Sequence, residues 1–299
     1  MHENIKEFVE NRPEVIAAYG YGSGVFKQSG YNQNEQKQID LIFVVDDLKK
    51  WHLANIEKNP NDYSYIGKYF FNNANEEQLK RVTGVTYQSD ISENGNLYKF
   101  GTIEENDLIK YLTTWQSFYM PGRFQKTTYP IIENSIISSF IRRNRCAALM
   151  VASFLQDGTI ASKKDLLKTL VGLSYLGDTR MAFAENPRKI ENIVDGSYDE
   201  YLKIYDFKKP YLQEELDGNY IINKEIIKSY IYSWPVYLKE YIKMNSYSND
   251  EELKNIIRDY FININKSESI HQTIKGLKTN GVVRSSVYAA RKISKRFKK

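Results

Sequence analysis

The segment Ala18–Asp47 constrains the fold of this 299-residue chain more than any other. An apolar run, Val15–Tyr19, leads into the turn Gly20–Gly24, and after a polar spacer a second apolar run covers Ile39–Val45. Apolar runs of this length predict buried strands, and a turn with three glycines allows positive φ and close backbone approach. The segment therefore predicts two strands of one sheet, joined through a turn whose N–H groups can bind an anion.

One carboxylate, that of Asp40, lies inside the second apolar run. An ionised aspartate in such a strand is costly unless it is paired or binds a metal ion. Two interpretations stay open from the residues alone: a metal-binding aspartate beside a phosphate-binding turn, or a buried aspartate that caps a neighbouring helix. A dinucleotide site of the Rossmann type is less favoured, because the turn lacks the third glycine at the required spacing.

Composition excludes several classes of protein. With 41% hydrophobic and 26% charged residues the chain is expected to be globular, with one or two domains. The longest apolar run, Ala147–Leu155, is too short to cross a bilayer, and the N-terminus resembles neither a signal nor a transit peptide. The single cysteine, Cys146, excludes an internal disulfide and fits a reducing cytoplasm.

The pattern along the chain predicts an α/β (α+β) protein in three parts. Residues 1–130 should form a mixed sheet with flanking helices, with further strands at Gly84–Gln88 and Leu97–Ile103. Residues 131–244 are predicted to be mostly helical. Residues 245–299 should form a helix and a basic amphipathic tail, since residues 271–299 contain nine Lys and Arg and no acid. The rest of the chain is net acidic.

Several motifs resemble one family. In chain order these are YGSGVFKQ (Tyr21–Gln28), DLIFVVDD (Asp40–Asp47), WH-x-x-N (Trp51–Asn55), N-x-x-x-YS (Asn59–Ser64), YKFG (Tyr98–Gly101), PGRFQK (Pro121–Lys126), GLSYLGDTRM (Gly172–Met181) and QTIKG (Gln272–Gly276). In these motifs the chain resembles the mitochondrial translocator assembly and maintenance family, soluble phosphatidate cytidylyltransferases that make CDP-diacylglycerol. The resemblance implies a nucleotidyltransferase domain, a winged-helix-like helical domain and a C-terminal segment that touches the membrane.

The implied reaction takes place in phospholipid biosynthesis. The phosphate of phosphatidic acid attacks the α-phosphate of CTP and releases pyrophosphate, with Mg²⁺ as cofactor. The resemblance assigns catalytic roles to Asp40, Lys99, Arg123 and Lys126. It assigns nucleotide contacts to Gly22, Ser23, Gly24, Lys27, His52, Asn55, Tyr175, Asp178 and Arg180. Without it, Arg123 and Lys126 would be taken for solvated charges, and Asp178 with Arg180 for a structural ion pair.

The metal site departs from the pattern of the wider nucleotidyltransferase superfamily. Its usual motif has two acids separated by one residue, but Gln38 and Ile42 occupy the positions two away from Asp40. We expect Asp40 to bind Mg²⁺ and take Asp46 as a candidate second ligand. Six residues along a strand span about 20 Å, so the two could share one ion only if the chain bends sharply.

The basic tail is expected to bind an anionic membrane. Membrane contacts are assigned to Arg291, Lys292, Lys295 and Arg296, which places the protein peripherally at the cytoplasmic face. Nucleic acid is not an expected partner, because residues 1–270 are net acidic. Two alternatives stay open: a nucleotidyltransferase that acts on RNA, protein or a small molecule, and a non-catalytic adaptor bound to a membrane.

Overall fold

The computed structural model describes residues 2–26, 38–179, 181, 186–215 and 217–297, with side chains described as far as Thr279. Its main sheet has five strands: β1 (Ala17–Tyr21), β2 (Ile39–Val45), β3 (Thr86–Glu93), β4 (Asn96–Glu104) and β5 (Thr128–Ile132). The spatial order is β3-β4-β2-β1-β5, with β2 and β4 parallel and the other pairs antiparallel. The predicted mixed sheet is confirmed.

Helices cover both faces of this sheet. One face packs against α1 (His2–Glu10), α2 (Leu48–Lys58), α3 (Tyr65–Asn73) and α4 (Glu76–Lys80). The other face packs against α5 (Glu105–Thr114), α6 (Pro121–Phe124) and the start of α7 (Ser135–Phe154). Strand β2 alternates between the two cores, so the near-continuous apolar run Ile39–Val45 follows from burial on both faces.

The second part of the chain is mostly helical, as predicted. After α7 come α8 (Lys163–Gly172), α9 (Lys189–Gly196), α10 (Tyr198–Ile204), α11 (Lys224–Ser229) and α12 (Val236–Met244). A small antiparallel sheet of order β6-β8-β7 lies among them, formed by β6 (Ile160–Ser162), β7 (Leu212–Glu214) and β8 (Asn219–Ile222). The pattern of residues did not predict these short strands, which are too brief for period-two alternation to be visible.

A single helix of 48 residues, α13 (Asp250–Phe297), connects the two parts. Leu253, Ile257 and Phe261 bury its first turns in the core of the helical part, and further along it packs against α3 and β3. The predicted tail is thus continuous with a helix that is built into the body of the protein. Among the helices that the structure describes, none is long and apolar enough to cross a membrane.

A buried ion pair holds α1 against the segment after α2. The guanidinium of Arg12 donates to both carboxylate oxygens of Asp62 at 3.2 and 3.0 Å, and each of the two residues is 3% exposed. Its third nitrogen donates to the carbonyl of Phe8 at 2.8 Å and lies 2.7 Å from Glu93. Every charge in this cluster therefore has a partner, which is the condition for a buried ion pair to be tolerated.

Replacing Arg12 with methionine should lower the free energy of unfolding by about 3–5 kcal/mol, because it leaves the Asp62 carboxylate buried and without its charged partner. Urea unfolding followed by circular dichroism measures this change. Lys6→Met is the matched control, since Lys6 and Glu10 form a pair that is 66% and 60% exposed. Its effect should stay within about 0.5 kcal/mol. Equal effects of the two substitutions would contradict this account of Arg12.

Candidate active site

The glycine turn packs directly on the beginning of β2. Gly22 has a φ of +75°, and a Cβ at this position would lie 3.2 Å from Oδ2 of Asp40. A Cβ at Gly24 would lie 2.2 Å from the carbonyl oxygen of Gln38, a distance that no side chain could adopt without moving the backbone. Gly22 is therefore required for the backbone conformation of the turn, and Gly24 for the close approach of the turn to the start of β2.

Within the turn, the N–H groups of Val25 and Phe26 donate to the carbonyl of Gly22 at 3.1 and 2.9 Å. These bonds close the turn and leave the N–H groups of Ser23 and Gly24 at its tip, where no hydrogen bond to another described residue occupies them. A turn of this kind is suited to an anion. Lys27, which was assigned to the same site, lies outside the described residues.

Asp40 lies between two side chains of the site, because Tyr21 and Lys99 are its register partners on the neighbouring strands β1 and β4. Oδ1 of Asp40 is 3.9 Å from Nζ of Lys99, and the side chains are 24% and 14% exposed. The Lys99 ammonium also lies 4.5 Å from the centre of the Tyr87 ring. The carboxylate thus has a charged partner while part of it stays open to the turn.

Arg123 approaches the same place from α6. Its guanidinium carbon lies 4.2 Å from the centre of the Tyr21 ring and 5.4 Å from that of Tyr119. Its Nε is buried and has no hydrogen-bond partner in the part of the chain that the structure describes. Burial raises the pKa of the Tyr21 and Tyr87 hydroxyls, so the surrounding phenols are neutral. An unsatisfied, buried cationic donor beside an anion-binding turn indicates a site for a negatively charged ligand.

Helix α7 fixes the position of α6. Asn144 donates to the carbonyl of Pro121 at 3.0 Å, and Arg145 donates to that of Phe124 at 3.0 Å. A Cβ at Gly122 would lie 2.7 Å from Cβ of Ser174, so α6 also contacts the loop after α8. These contacts on either side of Arg123 limit how far its backbone can move.

Lys126 joins the site to the loop after α8. Its Nζ is 2.5 Å from Oγ of Ser174 and 4.8 Å from the centre of the Tyr175 ring, and Lys189 approaches the same ring at 5.3 Å. Asp178, further along this loop, is 6% exposed. Two ammonium groups thus lie close to the Tyr175 ring. Arg180 lies outside the described residues, so its predicted pairing with Asp178 stays a prediction.

Helix α13 supports two loops of the site, the one before α6 and the one after α8. The sequence did not reveal this role. The amide of Asn265 donates to the carbonyls of Leu173 and Leu176 at 2.8 and 2.9 Å, and Oε1 of Glu268 accepts from the N–H of Phe118 at 3.0 Å. Both side chains are at most 6% exposed. The available signal was a polar residue at Asn265 in the apolar helical stripe that begins at Leu253.

His52 and Asn55, assigned to the nucleotide, are instead part of the core. Both are fully buried; the ring nitrogens of His52 lie 2.8 Å from the Tyr63 hydroxyl and 2.9 Å from that of Thr86, and Asn55 donates to Tyr63 at 3.0 Å. His52 also stacks on Phe71 at 3.9 Å. Burial lowers the pKa of His52, which keeps the ring neutral. We correct the assignment, because their polar groups are already engaged within the core.

Asp46 does not share a metal ion with Asp40. Strand β2 runs without a break from Ile39 to Val45, so the two carboxylates lie at opposite ends of it, about 20 Å apart. Asp46 is exposed, and Asp47 next to it caps α2 by accepting from the N–H of Lys50. Among the described residues there is no group of three His, Cys, Asp or Glu that could hold a metal ion.

Comparison with known proteins agrees with the motifs. Residues 5–225 match the family model described as "Phosphatidate cytidylyltransferase, mitochondrial". The chain belongs to this family. Two relatives carry the same name: one from Schizosaccharomyces pombe is 32% identical over 99% of this chain and 84% of its own length, and one from Rattus norvegicus is 27% identical over 98% and 94%. A solved nucleotidyltransferase-like protein from Exiguobacterium sibiricum overlaps at a TM-score of 0.26 and 10% identity, too loosely to bear on the fold.

In this member of the phosphatidate cytidylyltransferase family, the QTIKG motif lies on α13 where the helix faces the sheet domain. Gln272 accepts from the hydroxyl of Thr83 at 2.8 Å, and Lys275 is 7% exposed. Nζ of Lys275 is buried and has no hydrogen-bond partner in the described part of the chain. Burial lowers the pKa of Lys275 to about 7, although the nearby carboxylate of Asp107 acts in the opposite direction.

Lys275→Met should stabilise the protein at pH 7. Above the ordinary lysine pKa of 10.5, the amine of Lys275 is neutral in the folded and in the unfolded protein. As the pH falls from 10.5 to about 7, only the unfolded chain gains the proton. The free energy of unfolding of the wild type therefore falls over this range. Methionine has no proton to gain, so the free energy of unfolding at pH 7 should be about 1–4 kcal/mol higher in the variant than in the wild type. Urea titrations between pH 7 and 10.5 measure it, with the exposed Lys278→Met as control. A Lys275→Met variant that is less stable than the wild type at pH 7 would contradict the view that burial of Lys275 destabilises the protein.

Proposed function

We propose that the chain is a phosphatidate cytidylyltransferase, which transfers the cytidylyl group of CTP to phosphatidic acid and forms CDP-diacylglycerol and pyrophosphate. One observation carries the proposal in a chain of this family: Asp40, Lys99 and Arg123, which come from three distant segments, converge on the glycine turn. An adaptor protein would have no use for this combination of a carboxylate, two cations and N–H groups that no other described residue occupies.

The reaction needs charge neutralisation more than proton transfer. A phosphate oxygen of phosphatidic acid attacks the α-phosphorus of CTP, and the bond to the β-phosphate breaks as pyrophosphate leaves with the electron pair. The attacking phosphate has a second pKa of about 6 and is already anionic at neutral pH, so no strong general base is needed. The difficulty lies in bringing two polyanions together, for which positioned cations are the remedy.

Each group of the site then has a role. The N–H groups of Ser23 and Gly24, with the Ser23 hydroxyl, hold the β- and γ-phosphates. Lys99 and the unsatisfied Nε of Arg123 neutralise charge around the α-phosphate, where the new bond forms. Lys126 holds the phosphate of the second substrate from the loop side, next to Tyr175. A neutral, aromatic surrounding strengthens these interactions, because it lowers the local dielectric constant.

Asp40 is the residue we propose for a magnesium site. Mg²⁺ is commonly bound by one or two carboxylates together with substrate phosphates, so a single aspartate beside a phosphate-binding turn fits this ion. Oδ2 of Asp40 lies on the side of Gly22, where the phosphates would be, and Oδ1 faces Lys99. When bound, the ion would neutralise charge on the phosphates of CTP.

Phosphatidic acid resides in a bilayer, so the protein must work at a membrane surface. We propose peripheral attachment through the basic end of α13, which contains Arg291, Lys292, Lys295 and Arg296; their side chains lie outside the described part of the structure. Each Lys or Arg near an anionic surface contributes about 1 kcal/mol, so a few of them suffice for reversible binding. We propose the cytoplasmic face of a membrane as the place of this attachment.

Asp40→Ala should reduce turnover by about 100-fold or more without unfolding the protein, because it removes the proposed metal ligand. The assay measures labelled CTP that enters chloroform-soluble product, with phosphatidic acid in mixed micelles and magnesium present. Asp46→Ala is the matched control, being an exposed aspartate at the far end of the same strand, and should keep wild-type activity. Equal activity of the two variants would refute the role of Asp40, and a folded but inactive wild type would refute the proposed reaction.

Removal of residues 280–299 should weaken binding to anionic vesicles by at least about 100-fold, because this segment contains seven Lys and Arg. Vesicle sedimentation measures binding, and neutral phosphatidylcholine vesicles provide the reference. Turnover in mixed micelles should persist, since the groups of the site lie outside the removed segment. Sedimentation that does not change would contradict attachment through the tail.

A further inference from the structure

Helix α3 presents three large apolar side chains to solvent, which we call the α3 patch: Tyr65, Ile66 and Tyr69, at 92, 52 and 72% exposure. The helix itself is firmly placed, because Ser64 caps it by accepting from the N–H of Gly67 at 3.0 Å and Phe71 is fully buried on its inner side. The orientation of its outward face is therefore fixed by the cap and by the core. Contiguous exposed apolar side chains of this size mark interaction sites.

The patch lies beside α13, near the last residue of that helix whose side chain the structure describes. A Cβ at Gly67 would come within 2.3 Å of the carbonyl oxygen of Thr279, so the two helices are in backbone contact there. Thr279 is buried, and α13 continues beyond it to Phe297 through the basic segment. The exposed aromatic surface thus contacts the same helix that carries the basic segment, and Arg291, the first of the residues assigned to the membrane, lies about 18 Å further along that helix.

The chemistry of α3 fits the headgroup region of a bilayer. Tyrosine has an apolar ring and a polar tip and is enriched at membrane–water interfaces. Lys68 is the one charged residue within Tyr65–Asn73, and its Nζ lies 5.8 Å from the centre of the Tyr65 ring. The face therefore combines aromatic rings with a positive charge and contains no acid, which favours an anionic lipid surface over a basic partner.

We propose that the α3 patch inserts into the headgroup region of an anionic bilayer, together with the basic end of the same α13 helix that it contacts. The protein is then held at two places, one by burial of aromatic rings and one by charge. The proposal rests on the proposed function in one respect, namely that the substrate is a lipid.

Site-specific labelling tests insertion directly. Cys146 is the one cysteine of the chain, so Tyr69→Cys in a Cys146→Ser background takes a single environment-sensitive label, such as NBD. Tyr232→Cys is the matched control, since Tyr232 is 71% exposed and lies in the helical part. With vesicles of phosphatidylglycerol and phosphatidylcholine, the label at position 69 should shift its emission to the blue and that at 232 should not. Vesicle-bound protein without a shift at position 69 would overturn the proposal.

A second pair of variants measures the contribution to binding. Tyr65→Ser with Tyr69→Ser should weaken partitioning to the same vesicles on the order of tenfold, and Tyr232→Ser should leave it unchanged. Turnover of a short-chain, water-soluble phosphatidic acid should stay at the wild-type level, because the patch is not part of the site. A change in sedimentation velocity with unchanged vesicle binding would identify the patch as an interface between two copies and overturn the proposal.

These measurements separate the two proposals. Vesicles without phosphatidic acid report on the α3 patch whether or not the protein is a cytidylyltransferase. A wild type that turns over no form of phosphatidic acid would refute the proposed function alone. Loss of vesicle binding together with loss of turnover on the soluble substrate would indicate misfolding of the double variant, in which case the labelled Tyr69→Cys protein decides the outcome.

Discussion

The site depends on the contact between the glycine turn and the first residues of β2. The turn has no room for a side chain at Gly24, which lies against the carbonyl of Gln38, and one at Gly22 would press on the carboxylate of Asp40. This contact fixes the distance between the N–H groups at the tip of the turn and the Asp40 carboxylate. The cations are placed relative to that pair, Lys99 through its register on β4 and Arg123 through its contact with Tyr21.

A second level of organisation comes from α13. Asn265 and Glu268 bind main-chain groups of two loops that are more than 50 residues apart in sequence, so the positions of Arg123, Lys126 and Tyr175 all depend on this helix. The same helix contacts α3 at Gly67. The groups proposed to bind phosphate and the surface proposed to touch lipid are thereby attached to one rigid element, which is a physical basis for presenting the site to a membrane in one orientation.

Sequence could predict those parts of the molecule that local chemistry determines. The apolar runs identified β1 and β2, and the cost of burying a carboxylate singled out Asp40, while its role stayed open between a metal ligand and a helix cap. Lys99 and Arg123 needed the family motifs, since a lone lysine on a strand or arginine in a loop looks like any solvated charge. Their convergence was not visible, because it depends on the strand order β4-β2-β1.

Errors arose where a polar residue type has two uses. His52 and Asn55 match a binding motif, yet a buried hydrogen-bond network with Tyr63 and Thr86 needs the same side chains. Asp46 was a candidate second metal ligand because of its charge and its closeness to Asp40 in sequence. The extended strand β2 places the two residues far apart. The roles of Asn265 and Glu268 escaped notice because their partners are main-chain carbonyl and N–H groups, which a sequence does not identify.

The late position of α13 relative to the main sheet has a consequence for biosynthesis. The loops that carry the proposed binding groups are supported only once Asn265 and Glu268 have been added, more than 100 residues after the last strand of the main sheet, which ends at Ile132. A nascent chain that has already folded its sheet therefore still lacks the support of its site. The basic segment follows Asn265 and Glu268 in the sequence, so the support of the site is synthesised before the charges that are proposed to reach an anionic surface.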